Sequence, residues 1–298
     1  MDKKKSYFNL LVKPNQRQTL TLLLTNTGKK VYKAKITPVS AYTSDSGNVA
    51  YKTYVDGSRR TSKLQFSDLV SKKQVVQLKP GETRRINFRL TVPAQKFSGM
   101  IMGGFEVSDS AKKKPSNSDS RVQVTNRYQL VMGATLQEQK KLTPPNLKLL
   151  GVKSVANSGS PEVVGELSSP TSTLFGDLDI SAVVRKKGSS KPILQNELKN
   201  MVVAPATNFN YHLKWGRVRV AKGNYVLSLE ATSGTKRWYL SQSFNISAQQ
   251  ALKLNHKEEK TKLDISKALI LVLLPVILFV GFSFYRWLKW KRDSIDNF

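Results

Sequence analysis

The stretch LKPGETRRINFRLTVP, residues 78–93, decides the fold. Pro80-Gly81 makes a turn, and from there Ile86, Phe88, Leu90 and Val92 alternate with Arg85, Asn87, Arg89 and Thr91. A period of two belongs to a β-strand with one buried and one wet face. A proline-glycine pair supplies the fixed and the permissive backbone angles that a turn into such a strand needs.

The same alternation continues on both sides. Upstream, Phe8, Leu10 and Val12 form one set, and Leu20, Leu22 and Leu24 in QTLTLLLTNTG form another, closed by a turn at Asn26 to Gly28. Tyr32, Ala34 and Ile36 then face away from Lys33 and Lys35. Downstream, the polar run SDSAKKKPSNSDS (108–120) reads as a loop, and Thr143-Pro144-Pro145 reads as a stiff domain junction. In the second half Leu178, Ile180, Ala182 and Val184 alternate, and Tyr225, Leu227, Leu229 and Ala231 lead through Ser233-Gly234 to Trp238, Leu240, Phe244 and Ile246, a hairpin pattern.

Many short strands with close-set Gly and Pro turns predict an all-β chain: two immunoglobulin-like β-sandwich domains in tandem, followed by a single transmembrane helix. The expected boundaries are 1–143 and 144–248 for the domains, 249–267 for a polar Lys/Glu-rich tether, 268–287 for the membrane helix and 288–298 for a short cytoplasmic tail. The helix rests on ALILVLLPVILFVGFSFY (268–285), an uncharged run that spans about 27 Å at the helical rise, with Trp287 reaching the interface. Basic residues flank both ends, so charge counting leaves the orientation open. The start, MDKKKSYFNLLVKP, carries no signal peptide.

Charge narrows the partners. Forty-nine Lys and Arg against 20 Asp and Glu give +29 over 298 residues, and residues 1–143 alone hold 27 basic and 9 acidic side chains, a net of +18. Such a field attracts polyanions: nucleic acid, anionic lipid or the phosphate-rich polymers of a Gram-positive wall. Cysteine is absent, which removes disulfides, thiolate metal sites and thiol nucleophiles together.

Catalytic patterns are missing as well. The two histidines, His212 and His256, have no acidic or hydroxyl partner at a recognisable spacing. Gly103-Gly104 lacks the Lys-Ser/Thr of a phosphate loop and reads as a close backbone approach inside a strand. The carboxylate pairs Asp177/Asp179 and Glu162/Glu166 read as solvent-facing charges. In Lys236-Arg237-Trp238-Tyr239, Trp238 falls on the apolar face and Tyr239 is the surface candidate. The chain therefore reads as a non-enzymatic binding protein that needs no cofactor and no metal.

In order and spacing, YFNLLVKPNQRQTLTLLLTNTG (7–28), LKPGETRRINFRLTVP (78–93), FSGMIMGGFEV (97–107), NRYQLVMGATL (126–136), PNLKLLGVKSV (145–155), VVAPATNFNYHL (202–213) and GNYVLSLEATSGTKRWYLSQSFNIS (223–247) resemble the WxL-interacting protein family of Gram-positive bacteria. The resemblance implies an exported protein, with a peptidoglycan-binding first domain, a second domain linked to host ligands, and WxL-type surface proteins as partners. It implies a cell membrane location with both domains outside, and hence an export signal upstream of Met1. Asn15 stands where the family's turn usually has Gly, and Asn tolerates positive φ.

On this reading, Arg85, Asn87 and Arg89 on the wet strand face are the candidates for polymer contact. Asn208, Phe209 and Tyr239 are the candidates for protein contact, with peptidoglycan, WxL-domain surface proteins and host extracellular proteins as the partners and no specific nucleic acid. The competing reading is a tail-anchored cytosolic basic protein that tethers nucleic acid or another polyanion to the membrane.

Overall fold

The computed structural model of the chain describes residues 7–110, 130–157, 160–216, 218–255 and 286. It is all-β, with four sheets built around two separate apolar cores. The first half contributes β1 (Phe8–Leu11), β2 (Arg17–Thr25), β3 (Tyr32–Thr43), β4 (Val49–Lys52), a helical turn α1 (Phe66–Leu69), β5 (Gln74–Leu78), β6 (Thr83–Thr91), β7 (Met100–Asp109) and β8 (Leu130–Gln137). Six of these strands form one sheet in the order β1-β8-β7-β3-β4, with β5 on β3, while β2 and β6 form a second.

Alternation explains why the two sheets stack. Leu20 and Leu22 of β2, and Ile86, Phe88 and Leu90 of β6, are all under 5% exposed and meet Phe8, Ile36, Phe105 and Leu136 of the larger sheet. Phe105 sits at the centre. Its ring lies 4.7 Å from Phe88, 5.7 Å from Phe66 and 5.9 Å from Phe8, the last two edge-on. Gly103 and Gly104 on β7 are indeed a close approach: a Cβ on Gly103 would stand 2.4 Å from both Phe66 Cβ and the Val39 carbonyl. The turn at Asn15 has φ 60°, the left-handed backbone that Asn adopts readily.

The second half contributes β9 (Lys148–Asn157), β10 (Ser160–Ser168), β11 (Phe175–Lys186), β12 (Pro192–Val203), β13 (Asn208–Lys214), β14 (Gly223–Ser233) and β15 (Lys236–Ile246). They form a three-stranded sheet β13-β10-β9 facing a four-stranded sheet β12-β11-β14-β15. Trp215, Tyr225 and Phe244 pack in series, and the buried Tyr211 hydroxyl donates toward the Ile180 and Asn196 carbonyls at 3.3 Å. The Tyr225–Phe244 hairpin follows the expected alternation, with β14 paired to β15 from Gly223↔Ile246 to Ser233↔Lys236.

Two expectations change. The stretch expected as a tether from residue 249 is helical over 248–255, with Ala251 and Leu254 in the second core. Asn255 locks it there, accepting from Val220 N–H at 2.9 Å and donating to Val220 O at 2.8 Å. Glu162 is not a solvent-facing charge but is 4% exposed. No helix among the described residues is long and apolar enough to cross a membrane. The run expected to span, 268–287, and the tail 288–298 lie outside the described residues, Arg286 apart.

Candidate functional site

The pairing of β2 with β6 brings the sequence-selected basic residues into one surface. Register places Arg17 opposite Thr91, Thr19 opposite Arg89, Thr21 opposite Asn87, Leu23 opposite Arg85 and Thr25 opposite Thr83. All ten side chains are exposed because their neighbours in sequence fill the core. Arg85, Asn87 and Arg89 therefore share one wet face, as expected, and Arg17 joins them from the other strand.

Polar order on this face comes from short cross-strand bonds. Thr21 Oγ1 donates to Asn87 Oδ1 at 2.8 Å, and the Thr25 and Thr83 hydroxyls are 2.8 Å apart. Among the described residues the Asn87 side chain is bonded only through Oδ1, which leaves its amide N–H groups to a ligand. Arg84, on the opposite phase, is taken by Glu82. Arg17, Arg85 and Arg89 form no ion pair among the described residues. Arg17, Gln18, Thr19, Arg89 and Thr91 line an open depression of about 440 Å³, in which two guanidinium groups flank two threonine hydroxyls. Guanidinium forks bind oxyanions in two-point fashion, so this surface can hold carboxylate or phosphate groups along an extended chain.

The protein-contact candidates fare differently. Tyr239 is 70% exposed on β15, its hydroxyl accepting from Arg237 at 3.2 Å, and it remains a surface residue. Phe209 is corrected: at 1% exposure it lies in the second core, because Phe209, Tyr211 and Leu213 form the inward row of β13. Asn208 is corrected too. Its side chain donates to Ser58 O at 3.1 Å and so joins the two halves of the chain rather than facing a partner.

That bond belongs to a junction which sequence reading missed. The tip of the β3–β4 hairpin, residues 44–48, inserts against the second half. Gly47 (φ 77°) leaves no room for a side chain beside Met201, and its carbonyl accepts from Val202 N–H at 2.8 Å. Thr43 and Thr207 hydroxyls meet at 2.7 Å, Thr61 N–H donates to Ala206 O at 2.8 Å, and Met100 N–H donates to Ser172 O.

Asp45 is the hub of this junction. Arg59 grips its carboxylate with both terminal guanidinium nitrogens, and Asn210 N–H donates to Oδ1 at 2.8 Å. His212 stands between two carboxylates, with Nδ1 2.9 Å from Glu162 Oε2 and Nε2 3.5 Å from Asp45 Oδ2. A neutral imidazole has one N–H and serves one carboxylate, whereas the imidazolium serves both. Burial raises the Asp45 pKa, but the Arg59 and Asn210 hydrogen bonds and the charges of Arg59 and His212 outweigh it and hold the carboxyl at about 2. His212 thus has acidic partners after all, and the nearest in sequence is fifty residues away. No cluster of metal-binding side chains occurs among the described residues.

Known proteins match this architecture in both halves. The model of the WxL Interacting Protein peptidoglycan binding domain matches residues 1–109, and that of the WxL Interacting Protein host binding domain matches residues 119–256. The chain belongs to the WxL-interacting protein family. Its two halves are binding domains of surface proteins. Against this frame the wet face of β2 and β6 lies wholly inside the peptidoglycan-binding match, and Tyr239 lies inside the host-binding one.

No curated protein matches the chain. Among solved structures, it is similar to the CsuC–CsuE chaperone–tip adhesion subunit complex of Acinetobacter baumannii, at 13% identity over 75% of this chain and 90% of that one, with a TM-score of 0.33. It is also similar to the Pseudomonas aeruginosa CupB2 chaperone, at 11% identity over 76% of this chain and 92% of that one, with a TM-score of 0.29.

Proposed function

We propose that this chain is a non-enzymatic adaptor on the cell surface. Its first immunoglobulin-like sandwich binds wall polymer through Arg85, Asn87 and Arg89, with Arg17 completing the site. The second presents Tyr239 to a protein, either a WxL-type surface protein or a host ligand. The run 268–287 crosses the cell membrane as one helix, with both sandwiches outside.

The observation that carries this reading is the row of three arginines on one exposed strand face, without ion-pair partners among the described residues. A core needs none of them, and a surface built only for solubility mixes signs. Sedimentation of the full chain with purified peptidoglycan sacculi, with and without their teichoic acids, tests the assignment. Replacing Arg17, Arg85 and Arg89 together by Gln is expected to weaken binding about tenfold at low salt, or about 1.4 kcal/mol. The remaining affinity should depend less on salt than that of the parent. Unchanged binding would sink the site. Loss only from sacculi that keep their teichoic acids would make phosphate the ligand; loss from both would make it the peptidoglycan carboxylates.

Location has its own measurement. Protease added to intact cells is expected to remove residues up to about 260. Protection until lysis would instead support the tail-anchored, cytosolic reading.

A further inference from the structure

The other side of β2 points to a second binding mode, independent of the arginine row. Bonds flanking the strand fix which of its backbone groups are used. Val92 N–H donates to Gln16 O at 2.9 Å and Asn26 N–H to Glu82 O at 3.0 Å, so the even residues Gln18, Leu20, Leu22 and Leu24 face β6. The backbone N–H and C=O groups of Arg17, Thr19, Thr21, Leu23 and Thr25 therefore point to the far edge. Among the described residues no strand and no side chain pairs with them.

The contrast with neighbouring edges matters. The outer edge of β6 is capped, since Ser71 N–H donates to Arg89 O at 2.8 Å, Ser71 Oγ accepts from Arg89 N–H at 3.1 Å, and the Gln74 amide donates to Asn87 O at 2.7 Å. Exposed edges are usually blunted by Lys, Pro or a bulge. The long edge strands of the second half follow this rule: β9 carries Lys148 and Lys153, β12 carries Pro192 and Lys199, and β15 carries Lys236 and Arg237. β2, RQTLTLLLT, carries one charge, Arg17 at its first position, and its other eight residues include no charge, Pro, Gly or bulge, while Leu23 is 61% exposed.

We infer that the free edge of β2 is a docking site for an extended peptide strand of a partner protein, one that alternates acidic and apolar residues. Strand addition would satisfy the five idle backbone positions. The apolar side chains of the added strand would follow the inward row of β2, where Leu24 and, on the edge strand β1, Leu10 are only partly covered. Its acidic side chains would share the outer face with Arg17 and, one strand further, Arg85 and Arg89, none of which has an acidic partner among the described residues.

Amide hydrogen exchange on the full chain tests this directly. The probe is a blocked eleven-residue peptide alternating Glu and Val. In the free chain, the amides of Thr19, Thr21 and Leu23 are expected to exchange fast while those of Leu20 and Leu22 are slow. Peptide binding should slow the fast set at least tenfold, and a Lys/Val peptide should bind at least ten times more weakly.

Leu23→Pro removes a donor from the free edge and none from the β6 ladder, so it should abolish binding and leave sedimentation with sacculi unchanged. Should that variant misfold, Leu23→Cys gives a chain with a single cysteine. It should then form a disulfide with peptides carrying cysteine at every second position only.

Several outcomes would overturn the inference. These are fast-set amides already slow in the free chain, meaning the chain covers its own edge; protection on another strand; crosslinking without alternation; or Leu23-dependent dimerisation, which would make a second copy the occupant. Losing peptide binding in Leu23→Pro while wall binding persists keeps this inference apart from the adaptor reading.

Discussion

Phe105→Ala is expected to destabilise the first sandwich by about 3–5 kcal/mol, the range for deleting a buried aromatic ring. Its ring touches rings from both sheets and from α1: Phe8 of the larger sheet, Phe88 of β6 and Phe66 of α1. Removal leaves three rings facing a hole, and Phe66 is already packed directly on the Gly103 backbone, with no space there for even a Cβ. Phe105→Leu keeps most of the volume and should cost about 1.5 kcal/mol or less. Urea unfolding followed by far-ultraviolet circular dichroism measures both. All four tryptophans lie beyond residue 214, so their fluorescence follows the second half and should shift less than the dichroism. Since Phe88 lies on the buried phase of the strand that presents Arg85, Asn87 and Arg89, the polymer face should lose its order with this core.

The fold was legible wherever one face of a strand is wet. At residues 85–91 the alternation maps residue for residue onto burial, with Ile86, Phe88 and Leu90 at 2% or less and every residue between them exposed. Gly81 at φ 74° and Asn15 at φ 60° show that the turn residues carried the geometry their chemistry suggests. The helical stretch after β15 has a local signature of its own. Ser247 and Gln250 form a capping box, each side chain bonded to the other's backbone N–H at 2.9 and 3.2 Å, and a Ser-x-x-Gln pair before Ala251 and Leu254 is the signature of a helix start. Lysines around it gave the segment a tether's composition, and composition outweighed the cap.

The functional surfaces divide along the same line. Arg85, Asn87 and Arg89 could be picked from sequence because an exposed face on a single strand is a local property. Arg17 could not be added without the register of β2 against β6, which no local pattern fixes. Phe209 was mistaken because the apolar row of β13 is Phe209, Tyr211 and Leu213, with polar tips and a histidine interleaved, so its phase was ambiguous. The junction was invisible for a plain reason: Asp45 meets Asn210 across 165 positions and His212 meets Glu162 across 50. Long-range ion pairs leave no periodic trace.

Asp45→Ala is expected to cost about 2–3 kcal/mol, because it strands the Arg59 guanidinium and the Asn210 N–H at a partly buried junction. Asp45→Asn keeps an acceptor for Asn210 and removes only the charge, so the two variants separate shape from electrostatics. The pH dependence follows from the depressed carboxyl. Its ordinary value is 3.8 and its folded value about 2, so the charged form is favoured by folding. That contribution is fully present above about pH 4 and is lost as pH falls through about 2. The side chain is 31% exposed, which screens the interaction, so about 1–2 kcal/mol should disappear over this window. Urea unfolding at pH 5, 3.5 and 2 should show parent and Asp45→Asn converging as the acid limit is reached. A constant gap would mean that Arg59 and Asn210 respond to the shape of the residue at 45 and not to its charge. The fixed relation between the two domains would then rest on the neutral contacts of Thr43, Gly47 and Thr207.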